Sequence, residues 1–261
     1  MERLRQPAVA GTFYPSRPER LRAVVRDLLE RTEARGGPPK AVIVPHAGYV
    51  YSGPVAASAY VRLGLGRERI RRVLLLGPSH HAWFQGLAVS PADGFATPLG
   101  VVPVDRDGVA ALLELPSVAA LEAAHALEHS LEVQLPFLQE ILDGFTVVPV
   151  LTGEAGPGLV AEAVERLWGG EETAIVVSSD LSHYLQPAAA RQLDAATSAA
   201  IRDLDPDRIG EEAACGSLPV RGLLIAARRR GLRAEVLDVR NSGDTAGGSG
   251  PVVGYGAYAF A

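Results

Sequence analysis

The chain of 261 residues has one cysteine, one methionine and one lysine. A lone Cys215 excludes an internal disulfide and fits a reducing compartment, so a cytoplasmic protein is expected. The single methionine is Met1, which leaves no internal candidate for the axial ligand of a blue-copper centre. Apart from Lys40 the basic residues are all arginine, a usage that says nothing about activity. No apolar run approaches the ~18 residues of a membrane span. The opening MERLRQPAVAG is charged with no apolar stretch behind it, so neither a signal peptide nor a membrane partner is expected. A formal net charge of −5 provides no global field for nucleic acid. The basic stretches Arg67–Arg72 and Arg228–Arg230 read as solvated helix faces and ends. Phosphate-loop and dinucleotide fingerprints are missing, and Asn241–Gly256 reads as a flexible turn before a last strand. Neither Ser79 nor Ser178 sits in a G-x-S-x-G elbow, which weighs against a serine hydrolase.

What is present is an alternation of apolar patterns. Helical spacing predicts helices over residues 18–33, 54–63, 131–142, 158–168, 188–204 and 220–230. Short apolar runs predict strands at Lys40–Pro45, RVLLLG, LAVS, Phe145–Leu151, Thr173–Ser179, AEVLDV and VVGYGAYAF. Strands alternating with helices argue for an α/β fold: a mostly parallel central sheet with helices on both faces. No internal repeat or linker divides the chain, so residues 1–261 are read as a single domain.

In such sheets ligands bind outside the carboxyl ends of the strands. Three strands deliver histidine there: KAVIVP leads to His46, VLLLGPS to the doublet His80–His81, and TAIVVSS to Asp180 and His183. His129, in EHSLE, is a fourth setting. Successive residues of an extended chain point to opposite sides, so one histidine of the doublet faces the site. His80, nearer the strand end, is preferred to His81. Two imidazoles need a third ligand to hold a catalytic metal, and Asp180, Glu128 and Cys215 are candidates. Two histidines and a carboxylate suit non-haem iron(II); three ligands plus water suit zinc. Asp180 and His183, three residues apart, would share a face on a first helical turn and could handle protons as a pair. Tyr49 and Tyr51 follow His46 closely enough to line a pocket for a planar ligand.

PAVAGTFYP (Pro7–Pro15), PHAGYVYSG (Pro45–Gly53), LGPSHH, EHSLEVQLPFL, VVSSDLSHY and Cys215–Gly216 together resemble the Memo family, over nearly the whole chain. In prokaryotes that family belongs to a set named with a radical-SAM protein and an AMMECR-type protein, which the resemblance implies as partners. It is similar in fold to the LigB-type class III extradiol dioxygenases, non-haem iron enzymes that open catechol rings. The resemblance implies His46, His80 and Cys215 as metal ligands, with Asp180 and His183 lining the site. It implies an acid/base role for His183 and a supporting place for His129 beyond the ligands. A cysteine standing where those dioxygenases have a carboxylate is a softer, oxidisable donor, favouring copper(I), zinc or a more electron-rich iron. Metal-dependent redox chemistry on a small or planar substrate is therefore expected. The alternatives are a non-catalytic module binding a metal or peptide for partner proteins, and a zinc hydrolase.

Overall fold

The computed structural model describes residues 3–261. In chain order the elements are β1 (Leu4–Arg5), α1 (Pro18–Glu30), β2 (Ala41–Val44), α2 (Tyr49–Leu63), β3 (Arg72–Pro78), β4 (Leu87–Val89), β5 (Gly94–Thr97), β6 (Gly100–Pro103), α3 (Arg106–Leu113) and β7 (Val118–Ala120). There follow α4 (Glu122–Ala126), α5 (Leu135–Ile141), β8 (Thr146–Thr152), α6 (Pro157–Arg166), β9 (Thr173–Ser178), α7 (Pro187–Arg202), α8 (Ser217–Arg229), β10 (Ala234–Asn241), α9 (Ser242–Ala246) and β11 (Gly254–Phe260).

Among the described residues eight strands form one sheet in the order β10-β11-β2-β9-β3-β8-β4-β7. Its centre, β2-β9-β3-β8, is parallel. On one flank β11 and β10 run antiparallel, and on the other β4 is antiparallel to β8. The fold is thus α/β, with a four-stranded parallel centre and one further parallel pair, β4-β7, at the edge. Helices cover both faces, so the central strands are buried on each side and read as unbroken apolar runs. Val73 to Leu76 are wholly buried, and each such side chain contributes about 1.5–3 kcal/mol. On one side α1, α2 and α5 pack together; α6 and α8 form a tight pair elsewhere on the sheet. A small second sheet, β1-β5-β6, fastens the N-terminal segment to the body.

Several expectations shift in detail. The second helix begins at Tyr49, not Pro54, so Pro54 sits inside it rather than at its start. Residues 131–142 divide into a 3-10 turn at Glu132–Gln134 and the short α5. The glycine-rich run contains α9, held by a reciprocal cap between Asn241 and Asp244. Arginines of the two basic stretches meet acids: Arg67 with Asp143, Arg69 with Glu171, Arg72 with Asp105 and Arg230 with Glu165. No helix among the described residues is long and apolar enough to cross a membrane.

Candidate metal centre

The parallel strands β2, β9 and β3 are neighbours, and each is followed, two residues after its end, by a polar side chain. These are His46 after Val44, Asp180 after Ser178 and His80 after Pro78. Once the backbone leaves the ladder its side chains converge in the crevice, as open α/β sheets require. Cys215 reaches the same place from the turn before α8. That turn lies against the end of β9 because residue 216 is glycine: a Cβ there would stand 2.6 Å from Ser179 Cβ and 2.8 Å from the Ser178 carbonyl oxygen. The Gly216 N–H donates to Ser179 Oγ at 2.9 Å.

His46, His80 and Cys215 offer ligand atoms that all lie within 4.8 Å of one another. Cys215 Sγ is 3.2 Å from His46 Nε2, and the His46 and His80 rings are 5.2 Å apart, edge to face. Burial, reinforced by His80 and His129, pushes the His46 imidazole well below its ordinary pKa, so it is neutral. Burial, and then Asp180, pushes the Cys215 thiol up. The Asp180 N–H points at Sγ from 3.3 Å.

Glu128, one of the candidate third ligands, has another task. Its carboxylate accepts the His80 N–H and lies 2.9 Å from His80 Nδ1. It also accepts the N–H groups of His129 and Ser130. Burial alone would raise this carboxyl, but the hydrogen bonds from His80 and Ser130 outweigh it and hold the pKa well below the usual range. A carboxylate cannot donate, so His80 Nδ1 carries a proton, and Nε2 is the ring atom left to meet a metal. The His80, Glu128 and His129 donor atoms also lie within 4.8 Å of one another, and the His80 and His129 rings stack at 4.7 Å.

Asp180 is almost wholly buried, and its Oδ1 accepts the His46 N–H at 2.7 Å. Burial raises its carboxyl to about 7. Asp180 and His183 do not share a helical turn, contrary to expectation. Leu181 N–H donates to the Gly254 carbonyl and Gly254 N–H to the Ser182 carbonyl, while Ser182 N–H is taken by Asp194. Those bonds commit the backbone to β11 and α7 in place of a helix. His183 Nδ1 is 2.9 Å from the Leu181 carbonyl oxygen, so it carries the proton and Nε2 is a free acceptor. His183 and Cys215 line one cavity of about 330 Å³ with Leu185, Leu193, Ala214, Glu211 and Glu212. The next residue, Tyr184, has a left-handed backbone, φ 57°, and its ring is 78% exposed.

The other predicted residues separate. Tyr49 is core: its ring packs between Tyr14 and Phe137, and its hydroxyl donates to the Val133 carbonyl. Tyr51 is 45% exposed. His81 is exposed, its ring 5.9 Å from that of His129. His129 packs against His80 and Phe13, and burial lowers its pKa to about 4. Sequence reasoning missed Ser178 and Gln134, both buried and hydrogen-bonded to one another beneath His46.

A family model described as Memo-like protein matches residues 5–259. This chain belongs to the Memo family. A MEMO1 family protein of Methanosarcina barkeri is 38% identical, with 97% of this chain and 98% of that one covered. One from Aquifex aeolicus is also 38% identical, over 97% of each chain. Among solved structures, an uncharacterized protein from Escherichia coli K12 matches with a TM-score of 0.57 at 14% identity. That match covers 84% of this chain and 98% of the other, and it shows a shared fold.

The donor set of this Memo-family protein fits a metal ion. Ligands to one ion, at the usual bond lengths and at N–metal–S angles of roughly 90–110°, stand about 3.1–3.6 Å apart, and the His46–Cys215 separation falls in that range. The His46 imidazole is neutral, His80 holds its Nδ1 proton on Glu128 and offers Nε2, and a cation would offset the burial that keeps the thiol protonated.

Proposed function

We propose that this protein is a metal-dependent redox protein whose ion, iron(II) or copper, is held by His46, His80 and Cys215. The observation that carries the reading is the convergence of these three donors, one of which, Cys215, lines a cavity together with His183. Bound there, the metal would supply Lewis-acid and one-electron chemistry toward dioxygen and a small planar substrate, in the manner of the extradiol dioxygenases.

The chain's own residues would do the rest. His183 Nε2 accepts a proton from a substrate hydroxyl and returns it later, its ring held by the Leu181 carbonyl. Glu128 keeps His80 oriented and electron-rich. Leu185, Leu193 and Ala214 give the cavity its apolar wall. The exposed Tyr51 and Tyr184 both lie within electrostatic reach of the buried Tyr255, and would offer their faces to a flat ring.

The test is dioxygen uptake by iron- and copper-loaded protein offered a panel of catechols and related phenols, for wild type and His183→Gln. The reading expects substrate-dependent uptake in the wild type and its loss in a variant that keeps its metal. No uptake with either metal, together with ester or amide hydrolysis by zinc-loaded protein, would replace it with the hydrolase.

A further inference from the structure

Beneath His46 lies a chain of hydrogen bonds with only one consistent direction. The Tyr60 hydroxyl is 2.7 Å from Gln134 Oε1, which can only accept. Gln134 Nε2 is 2.9 Å from the Pro45 carbonyl oxygen and 2.8 Å from Ser178 Oγ. Turning that amide over would set its oxygen against the Pro45 carbonyl oxygen, two acceptors with no proton between them, so its orientation is fixed. Ser178 Oγ is 2.6 Å from the Ser130 carbonyl oxygen, which uses the single hydroxyl proton. Ser178 Oγ is also 2.9 Å from His46 Nδ1. With its proton committed, Ser178 can only accept there, so His46 must donate from Nδ1.

Tyr60, Gln134, Ser178 and His46 are all at most 2% exposed, so water offers no alternative partner. Each step depends on the one before. The Pro45 carbonyl sets the amide, the amide and the Ser130 carbonyl leave the hydroxyl one way to turn, and the hydroxyl sets the imidazole. The consequence is read at the far side of the ring: Nε2 keeps its lone pair and faces Cys215 Sγ.

We propose that Ser178, oriented by Gln134 and the Ser130 carbonyl, is a positioning residue that holds His46 in the Nδ1–H tautomer and so presents Nε2 as a metal ligand. The inference rests on the metal-centre reading for its last step only; the tautomer itself is a property of the metal-free protein. The two histidines are then held by unlike partners, a neutral hydroxyl under His46 and a carboxylate under His80. Removing the partner that orients a histidine ligand typically costs 10–100-fold in metal affinity.

The experiment uses the full chain at pH 8, where the buried His46 imidazole is neutral. Nitrogen-15 NMR of the metal-free protein reads the His46 tautomer, and titration with cobalt(II) reads affinity, in wild type and Ser178→Ala. Expected are an Nδ1–H signal for His46 in the wild type, a mixture of tautomers in the variant, and cobalt affinity about 10–100-fold weaker. An Nε2–H tautomer in the wild type would overturn the proposal even if the variant failed to fold. So would a folded variant with an unchanged tautomer and unchanged affinity. A wild type with the expected tautomer and no cobalt binding would instead refute the metal centre, leaving the hydrogen-bond chain as found.

Discussion

Cys215 Sγ lies 3.2 Å from His46 Nε2, although 169 residues separate the two along the chain. One comes off the end of a central strand and the other from the turn before α8, and both are drawn to the exit of the same parallel sheet.

Gly216→Ala should loosen the site without touching a ligand. The added Cβ would stand 2.6 Å from Ser179 Cβ and 2.8 Å from the Ser178 carbonyl oxygen, so the turn carrying Cys215 must retreat from β9. Overpacking of this kind costs about 1–3 kcal/mol. The expected outcome is a lower melting temperature and weaker metal binding; unchanged cobalt(II) affinity would show that the turn has slack.

Glu128→Gln should weaken metal binding while the ligands remain. An amide can still accept, but it loses the charge that favours the protonated Nδ1 of His80, and its NH₂ faces donors in the crowd of N–H groups around it. A drop of about 10–100-fold in affinity is expected from titration. Equal affinity would mean that His80 needs no carboxylate.

The Arg5–Glu132 pair is buried on both sides, and Glu132 also accepts the N–H groups of Ala8 and Val9 and the Tyr14 hydroxyl. Arg5 in turn binds the carbonyls of His125 and Glu128, clasping the segment that carries His129. Breaking such a pair from one side costs about 3–5 kcal/mol. Glu132→Ala should therefore lose about that much in urea unfolding, with a loss below 1 kcal/mol contradicting the assignment.

Acid should destabilise the metal-free protein through His125 before ordinary carboxylates titrate. Burial lowers its pKa from 6.5 to about 4, opposed by a hydrogen bond from its ring to the Ala88 carbonyl. The unfolded chain binds the proton first, so the stabilisation is complete above about pH 6.5 and is lost as pH falls through about 4. The full effect is on the order of 3 kcal/mol. Unfolding in the presence of chelator at pH 7, 5.5 and 4.5 should show a shallower slope for His125→Gln than for wild type; parallel slopes would refute the role.

The strand ends were legible because β2, β3 and β9 are covered on both faces and therefore appear as apolar runs that stop abruptly. His46, His80 and Asp180 stand where those runs stop. Cys215 was different: AACGSLPV is a break between helices, where the flanking Gly216 made it one candidate beside Asp180 and Glu128, and the likeness to a family motif singled it out. Ser178 and Gln134 left no trace of their task, since a serine at a strand end and a glutamine in an apolar helix fit ordinary packing equally well. Tyr49 misled for the opposite reason. Its nearness in sequence to His46 suggested the pocket, yet a helix starting at residue 49 turns that ring into the core. The β5–β6 hairpin was missed because GFAT and GVVP are too short to show alternation.

The central claim is that Cys215 and two histidines share one metal ion. X-ray absorption at the metal edge of protein purified anaerobically tests it most directly, in wild type and Cys215→Ser. The account predicts one sulfur scatterer at about 2.3 Å with nitrogen ligands at about 2.0–2.1 Å, the sulfur vanishing in the variant. A metal bound with no sulfur in its shell, or an identical shell in both proteins, would contradict it.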